Sequence, residues 1–184
     1  MATRAHKAGQ RVLGKLRGFR RDRRGATAIE FGMLALPFAL LSFAILETTV
    51  SFTAQQVISN ATDKIARQIR TGQLTIDNTT EAQFRAKICA EISIIVSPTC
   101  PDLVFDLQHY TDFDDVPRAI PLSMDGDIDT SGFKYDPGGD ETINSLRVFY
   151  RWPVMTDVMK THIANLPDGK RLLFSTATWQ NEPF

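Results

Sequence analysis

The stretch Arg23-Arg24-Gly25-Ala26-Thr27-Ala28-Ile29-Glu30-Phe31 runs into the uncharged apolar segment FGMLALPFALLSFAIL, Phe31–Leu46, and its reading decides the fold. A basic segment ends in a glycine, four small or apolar residues follow, and then a glutamate stands at the mouth of a membrane-length apolar run. A carboxylate carried to the centre of a membrane helix costs about 2.5–3.5 kcal/mol on insertion scales, so a charge in this setting marks a function. The sixteen residues Phe31–Leu46 rise roughly 24 Å as a helix, short of a hydrocarbon core about 30 Å thick. Ala26–Ile29 and Thr48–Phe52 supply the missing length, with Glu30 and Glu47 near the two edges. The competing reading is a buried core helix. Against it, the run is apolar on all faces and abuts a cluster of cations.

Charge sets the expected orientation. Residues 1–24 carry nine Lys/Arg against one acid, a net +8, and residues 25–184 carry twelve against twenty, a net −8. Positive-inside bias places the basic end in the cytoplasm and the acidic body outside. A cleaved secretory signal fits poorly. Ser42-Phe43-Ala44 lies inside the apolar run, and Phe52-Thr53-Ala54 puts a bulky ring at the outer position. An anchor that stays is the better account. Val12, Leu13, Leu16 and Phe19 give the basic segment the spacing of a transient amphipathic helix on the inner leaflet. Nucleic acid is not an expected partner, because Phe19 is the segment's one aromatic residue and topology explains its charge.

Beyond the apolar run, Val50, Val57, Ile58, Ala61, Ile65 and Ile69 recur at three- and four-residue spacings, so an amphipathic helix emerges from an all-apolar one. It ends at Arg70-Thr71-Gly72, with cations in the last turn and a glycine stop. Ala26–Arg70 would make one rod roughly 68 Å long, with Pro37 expected to kink it or open one backbone bond. Asp77–Glu81 offers caps for a second helix over about Thr80–Ile94, its stripe being Phe84, Ile88, Ile92 and Ile95. Leu103–Tyr110 alternates as a strand, Ser145–Trp152 is a strong strand, and Arg171–Gln180 is a final one. Met155–Leu166 has helical spacing at Val158, Met159 and Ile163. Residues 111–144 are rich in Asp, Gly, Pro and Ser and predict a long loop, with a short strand near Ile120–Met124. The order predicts an α+β fold: a long N-terminal helix, membrane-spanning and then amphipathic, packed on a small, mostly antiparallel sheet.

Cys89 and Cys100 both lie in the segment placed outside, where an oxidising compartment and an even count favour one disulfide; two free thiols are the alternative. No metal or cofactor is expected. His6, His109 and His162 are scattered, and Asp125-Gly126-Asp127-Ile128-Asp129 departs from a calcium loop, its glycine second rather than sixth and Asp136 at position twelve. No nucleophile elbow, phosphate loop or spaced acid–base pair points to an enzyme, and Asp112, Asp114 and Asp115 read as a solvated acidic loop.

Gly25, the four residues Ala26–Ile29, and then Glu30-Phe31 resemble the prepilin-peptidase signal of the Flp subclass of type IV pilins. Residues 25–72 as a whole are similar to the TadE-like domain. They have a small-residue start, a glutamate–phenylalanine pair, an apolar stretch with a proline, a glutamate near its end and then an amphipathic helix. VFYRWPVMTDVM and the terminal NEPF also look like segments common in these proteins.

The resemblance implies a minor pseudopilin of the tight-adherence (Tad) pilus machinery, held in a bacterial inner membrane with its outer domain in the periplasm. A prepilin peptidase would cut between Gly25 and Ala26, making Glu30 the fifth residue of the mature chain. Its other partners would be Tad pilins, inner-membrane platform proteins and the lipid bilayer. Glu30 and Phe31 would serve assembly, with a neighbouring subunit's N-terminal ammonium neutralising the carboxylate. The layout would be a basic leader (1–25), a TadE-like domain (26–72, spanning at about 27–50), and a periplasmic α+β domain (73–184). More than a hundred residues follow the helix, unlike the small major Flp pilins, so the resemblance favours an accessory role of the TadE or TadF kind over the larger TadG kind. The runner-up is an uncleaved single-pass envelope protein whose outer domain binds or scaffolds a partner.

Overall fold

The computed structural model describes residues 24–183, so the basic leader up to Arg23 and Phe184 of the terminal NEPF lie outside the described residues. Helix α1, Arg24–Arg70, has 47 residues and remains helical through Pro37. Pro37 has no N–H to give the carbonyl of Met33. The chain divides into two compact units, one up to Ile45 and one from Leu46 to the C-terminus. In the first, the apolar side chains stand open: Ile29, Phe31, Met33, Leu34, Leu36 and Phe38 are each about two-thirds exposed or more. This is the one candidate membrane span among the described residues, and an apolar surface of this extent needs lipid or a protein partner to cover it.

The second unit is an α+β body. After the end of α1 come α2 (Glu81–Ile92), β1 (Leu103–Tyr110), a short 3-10 turn (Phe113–Asp115), β2 (Ile143–Trp152), α3 (Asp157–Ile163) and β3 (Arg171–Gln180). The three strands form one antiparallel sheet in the order β1-β2-β3, with Leu103 opposite Tyr150 and Ile143 opposite Gln180. β1 and β3 have the expected bounds. They alternate in polarity and are fenced by turn residues, Pro101-Asp102 before one and Pro167-Asp168-Gly169 before the other. α3 is shorter than the spacing over Met155–Leu166 suggests, and the short strand expected near Ile120–Met124 reduces to one bridge between Leu122 and Ile128.

The core forms where the amphipathic half of α1 meets one face of the sheet. Ala54, Ile58, Ala61, Ile65, Ala66 and Ile69 pack into one cluster with Leu103, Leu107, Leu146, Val148, Leu173 and Trp179. Val50, expected in this stripe, is half exposed. β3 starts at Arg171, whose guanidinium reaches Ser51 next to it. α2 closes the side of this core through Phe84, Ile88 and Ile92. It starts at a full capping box, Thr80 with Gln83, which satisfies two orphan donors of its first turn. Phe84 meets the rings of Phe105 and Tyr135, each with centroids 5.1 Å away. The Cys89–Cys100 disulfide closes, with Cα atoms 5.9 Å apart, and ties the last turn of α2 to the entry of β1. Arg85 secures the same corner by donating to the Cys100 and Leu103 carbonyls.

The long loop of residues 111–142 folds over the other face of the sheet. Ile120, Ile128 and Phe133 cover Phe149 and Leu172 there. β2 is therefore buried on both faces, with Asn144, Ser145 and Arg147 buried among its apolar residues. Gly138 turns the chain back toward β2 at φ +62°; a Cβ there would lie 2.4 Å from Thr142 Oγ1 and 3.0 Å from His109 Cβ. On this face Asp106 and Arg147, directly opposite in the β1–β2 register, form a buried ion pair with Oδ2–Nη2 at 2.6 Å. Lys134 N–H and the Gln108 amide donate to the other carboxylate oxygen, and the Phe133 ring covers the guanidinium. Such a pair contributes modestly as a pair, but breaking it strands a charge. Arg147→Ala should therefore destabilise the body by about 3–5 kcal/mol, read as a lowered denaturation midpoint at unchanged slope.

All three tyrosines have phenol pKa values pushed upward. Burial is the main cause in each, aided by the negative charge of Asp106 at Tyr110, Glu81 at Tyr135 and Asp102 at Tyr150. A raised phenol pKa means that the fold favours the neutral ring. That stability is fully present below the unfolded value of about 10 and is lost as pH rises through the folded value. Absorbance titration of tyrosinate should give native midpoints above those of the denatured chain, with unfolding setting in over the same alkaline range.

Candidate functional site

The first candidate region is the start of α1. Gly25 and Ala26 are exposed and lie in the first helical turn, where backbone N–H groups lack intrahelical acceptors. A Cβ on Gly25 would meet nothing within 4 Å, so packing does not demand a glycine there. A glycine in a helix is about 1 kcal/mol less favourable than alanine, which makes this turn an easy one to open. A peptidase that needs the Gly25–Ala26 bond extended would first have to unwind it. Glu30 is exposed, and no hydrogen bond or ion pair joins its carboxylate to another side chain among the described residues. Phe31 beside it is 73 % exposed. The segment thus offers an unpaired carboxylate and a ring on an apolar surface.

The second region was legible only as a charge at the far end of the apolar run. Glu47 is half-buried in the body, where its carboxylate accepts from the Met155 and Thr156 N–H groups and from the Thr156 hydroxyl. Thr156 is the N-cap of α3 but makes no capping bond with its own side chain. Glu47 instead holds the N-cap residue itself, by its backbone and hydroxyl, from a separation of 109 residues. An acid at this end of α3 also meets the positive end of the helix dipole. No local pattern around residue 156 announces this contact. The only signal was the presence of a glutamate where a membrane helix ends.

Three further contacts fix the body along α1. Arg171 donates to Ser51 Oγ at 3.2 Å and lies over the Phe52 ring at 5.3 Å. The Gln55 amide donates to the Phe174 carbonyl at 2.7 Å. Arg70 pairs with Glu182 at 3.1 Å. β3 therefore runs in the same direction as this part of α1. A shallow groove of about 540 Å³ lies between them, rimmed by Asp63, Arg67, Arg70 and Glu182 and floored by Ala66 and Ala177. The acidic loop residues have structural partners: Asp127 pairs with Arg151 at 2.8 Å, and Asp129 accepts from Ser131 N–H.

Compared with known proteins, residues 25–67 match the family model described as TadE-like protein. The matched segment runs from the glycine before Ala26 almost to the end of α1, and includes Glu30, Phe31, Pro37 and Glu47. It associates this part of the chain with the Tad pilus system. No curated protein and no solved structure matches the chain.

Glu47→Ala should release the start of α3 while leaving the sheet intact. Losing the net worth of one hydrogen bond to a charged group, about 1.5–3 kcal/mol, should accelerate amide exchange over residues 155–163 by at least one to two orders of magnitude at about 1.4 kcal/mol per tenfold. Exchange in β2 should be unchanged.

Proposed function

We propose that this chain, which carries a TadE-like segment at residues 25–67, is a minor pseudopilin acting in assembly of a Tad-type pilus used for surface adherence. Its role is structural and not enzymatic. The observation that carries the reading is Glu30: exposed, without a side-chain partner among the described residues, and one residue from an apolar surface open along its length. A carboxylate in that setting is stabilised by a cation from outside the chain. Cleavage between Gly25 and Ala26 would create such a cation, the α-amino group of Ala26 on a neighbouring subunit. Pairing between that ammonium and Glu30 would set the axial register of packed helices. A prepilin peptidase is the implied processing partner. Other Tad pilins and the inner-membrane platform would be the assembly partners, with the basic end cytoplasmic and the body periplasmic.

A second reading, an uncleaved envelope scaffold, draws on the helical setting of the Gly25–Ala26 bond. The two readings differ in the N-terminus of the protein as it stands in native membranes. Intact mass and N-terminal sequencing should give a chain beginning at Ala26, and Glu30→Ala should insert normally yet reduce piliation. A chain that retains residues 1–25, or normal piliation by the Glu30 variant, would overturn the pseudopilin reading.

A further inference from the structure

The contacts between α1 and the strand β3 region form a ladder, and its rung nearest the apolar run is Glu47 with Met155 and Thr156. From the Arg70–Glu182 rung to this one, α1 rises roughly 35 Å. Glu47 directly follows Leu46, the last residue of the uncharged apolar segment. β2 and β3 end level with Ser51, so the chain from Pro153 to Lys170 leaves the sheet beyond its last rung and travels toward the end of the span. Glu47 pins it there.

This excursion has the composition of a surface that meets lipid. Met155 is 77 % exposed and Val158 is 57 % exposed, both in or beside α3. Pro153–Ile163 carries one Lys against one Asp, paired at 2.7 Å, a net 0, while the rest of residues 47–184 carries eleven against eighteen, a net −7. The part of the body held at the end of the apolar run thus lacks the net negative charge that the body carries as a whole. An anionic headgroup layer would repel the remainder of the body and accept this segment.

We infer that Pro153–Ile163 is a second membrane contact, in which α3 lies in the interfacial layer with Met155 and Val158 among the acyl-chain ends, latched to the span by Glu47. This rests on the reading of α1 as a membrane span. The contact fixes the rotation and height of the body above the bilayer, which a single helix by itself leaves free.

The test uses the full chain with the Cys89–Cys100 bond intact and one added cysteine, Val158→Cys, Phe38→Cys or Ile76→Cys, labelled with an environment-sensitive fluorophore. Each variant is reconstituted in vesicles of phosphatidylethanolamine and phosphatidylglycerol whose lipids carry a nitroxide either near the headgroup or deep in the acyl chain. The Val158 label should be quenched most by the shallow nitroxide, at a depth of about 5–10 Å into the headgroup and acyl boundary. The Phe38 label should be quenched by the deep nitroxide, and the Ile76 label, beyond the far end of α1, by neither. A Val158 label untouched by both nitroxides, with Phe38 still quenched, overturns the second contact and leaves the span standing. Loss of quenching at Phe38 instead overturns the span itself. A Val158 label that ignores lipid but shifts blue as protein density rises assigns the face to a second copy of this chain and likewise overturns the inference.

Discussion

One face of α1, from Ala54 to Ile69, carries the burial on which the body is built. Alanine at positions 54, 61 and 66 lets the sheet approach closely, and isoleucine at 58, 65 and 69 fills the space that remains. Everything else in the body is added to that contact. α2 closes its flank, the disulfide holds α2 to the sheet, and the long loop covers the sheet's other side. The same helix is apolar all round before Leu46 and apolar on one stripe after it. This change in periodicity, within one continuous element, is what separates a surface meant for lipid from a surface meant for a folded domain.

Much of this was legible. The switch from an unbroken apolar run to three- and four-residue spacing announced both halves of α1, because helix periodicity is a local property of the chain. The bounds of β1 and β3 were legible for the same reason, and Asp77–Glu81 was legible as a capping stretch, within which Thr80 is the cap. The Cys89–Cys100 pairing was favoured by compartment and count. What escaped is what depends on sequence separation. Asp106 and Arg147 are 41 residues apart, and only the β1–β2 register makes them neighbours. Asp106 sits in a strand whose pattern gives no sign that the charge is buried.

At the candidate site the outcome divides in the same way. Gly25, Glu30 and Phe31 could be singled out because their chemistry is a linear signal, read along the chain and not across the fold. Glu47 could be noticed as an expensive residue, but the Met155 and Thr156 groups that it satisfies could not be found from either end. Val50 shows the reverse error. Its spacing put it in the core stripe, and it is left half exposed. Periodicity states which side of a helix faces inward; it does not state how far along the helix there is something to face.

The Cys89–Cys100 bond has a consequence for topology as well as for stability. Protein thiols stay reduced in the cytosol and become oxidised once exported. In the proposed topology, the bond would therefore serve as a chemical record of which side of the membrane the body has reached. A molecule held the wrong way round would keep two thiols open to alkylation, while one that had delivered its body outward would be closed to the same reagent. In that topology the pair would write the direction of insertion into a covalent difference that outlasts extraction from the bilayer.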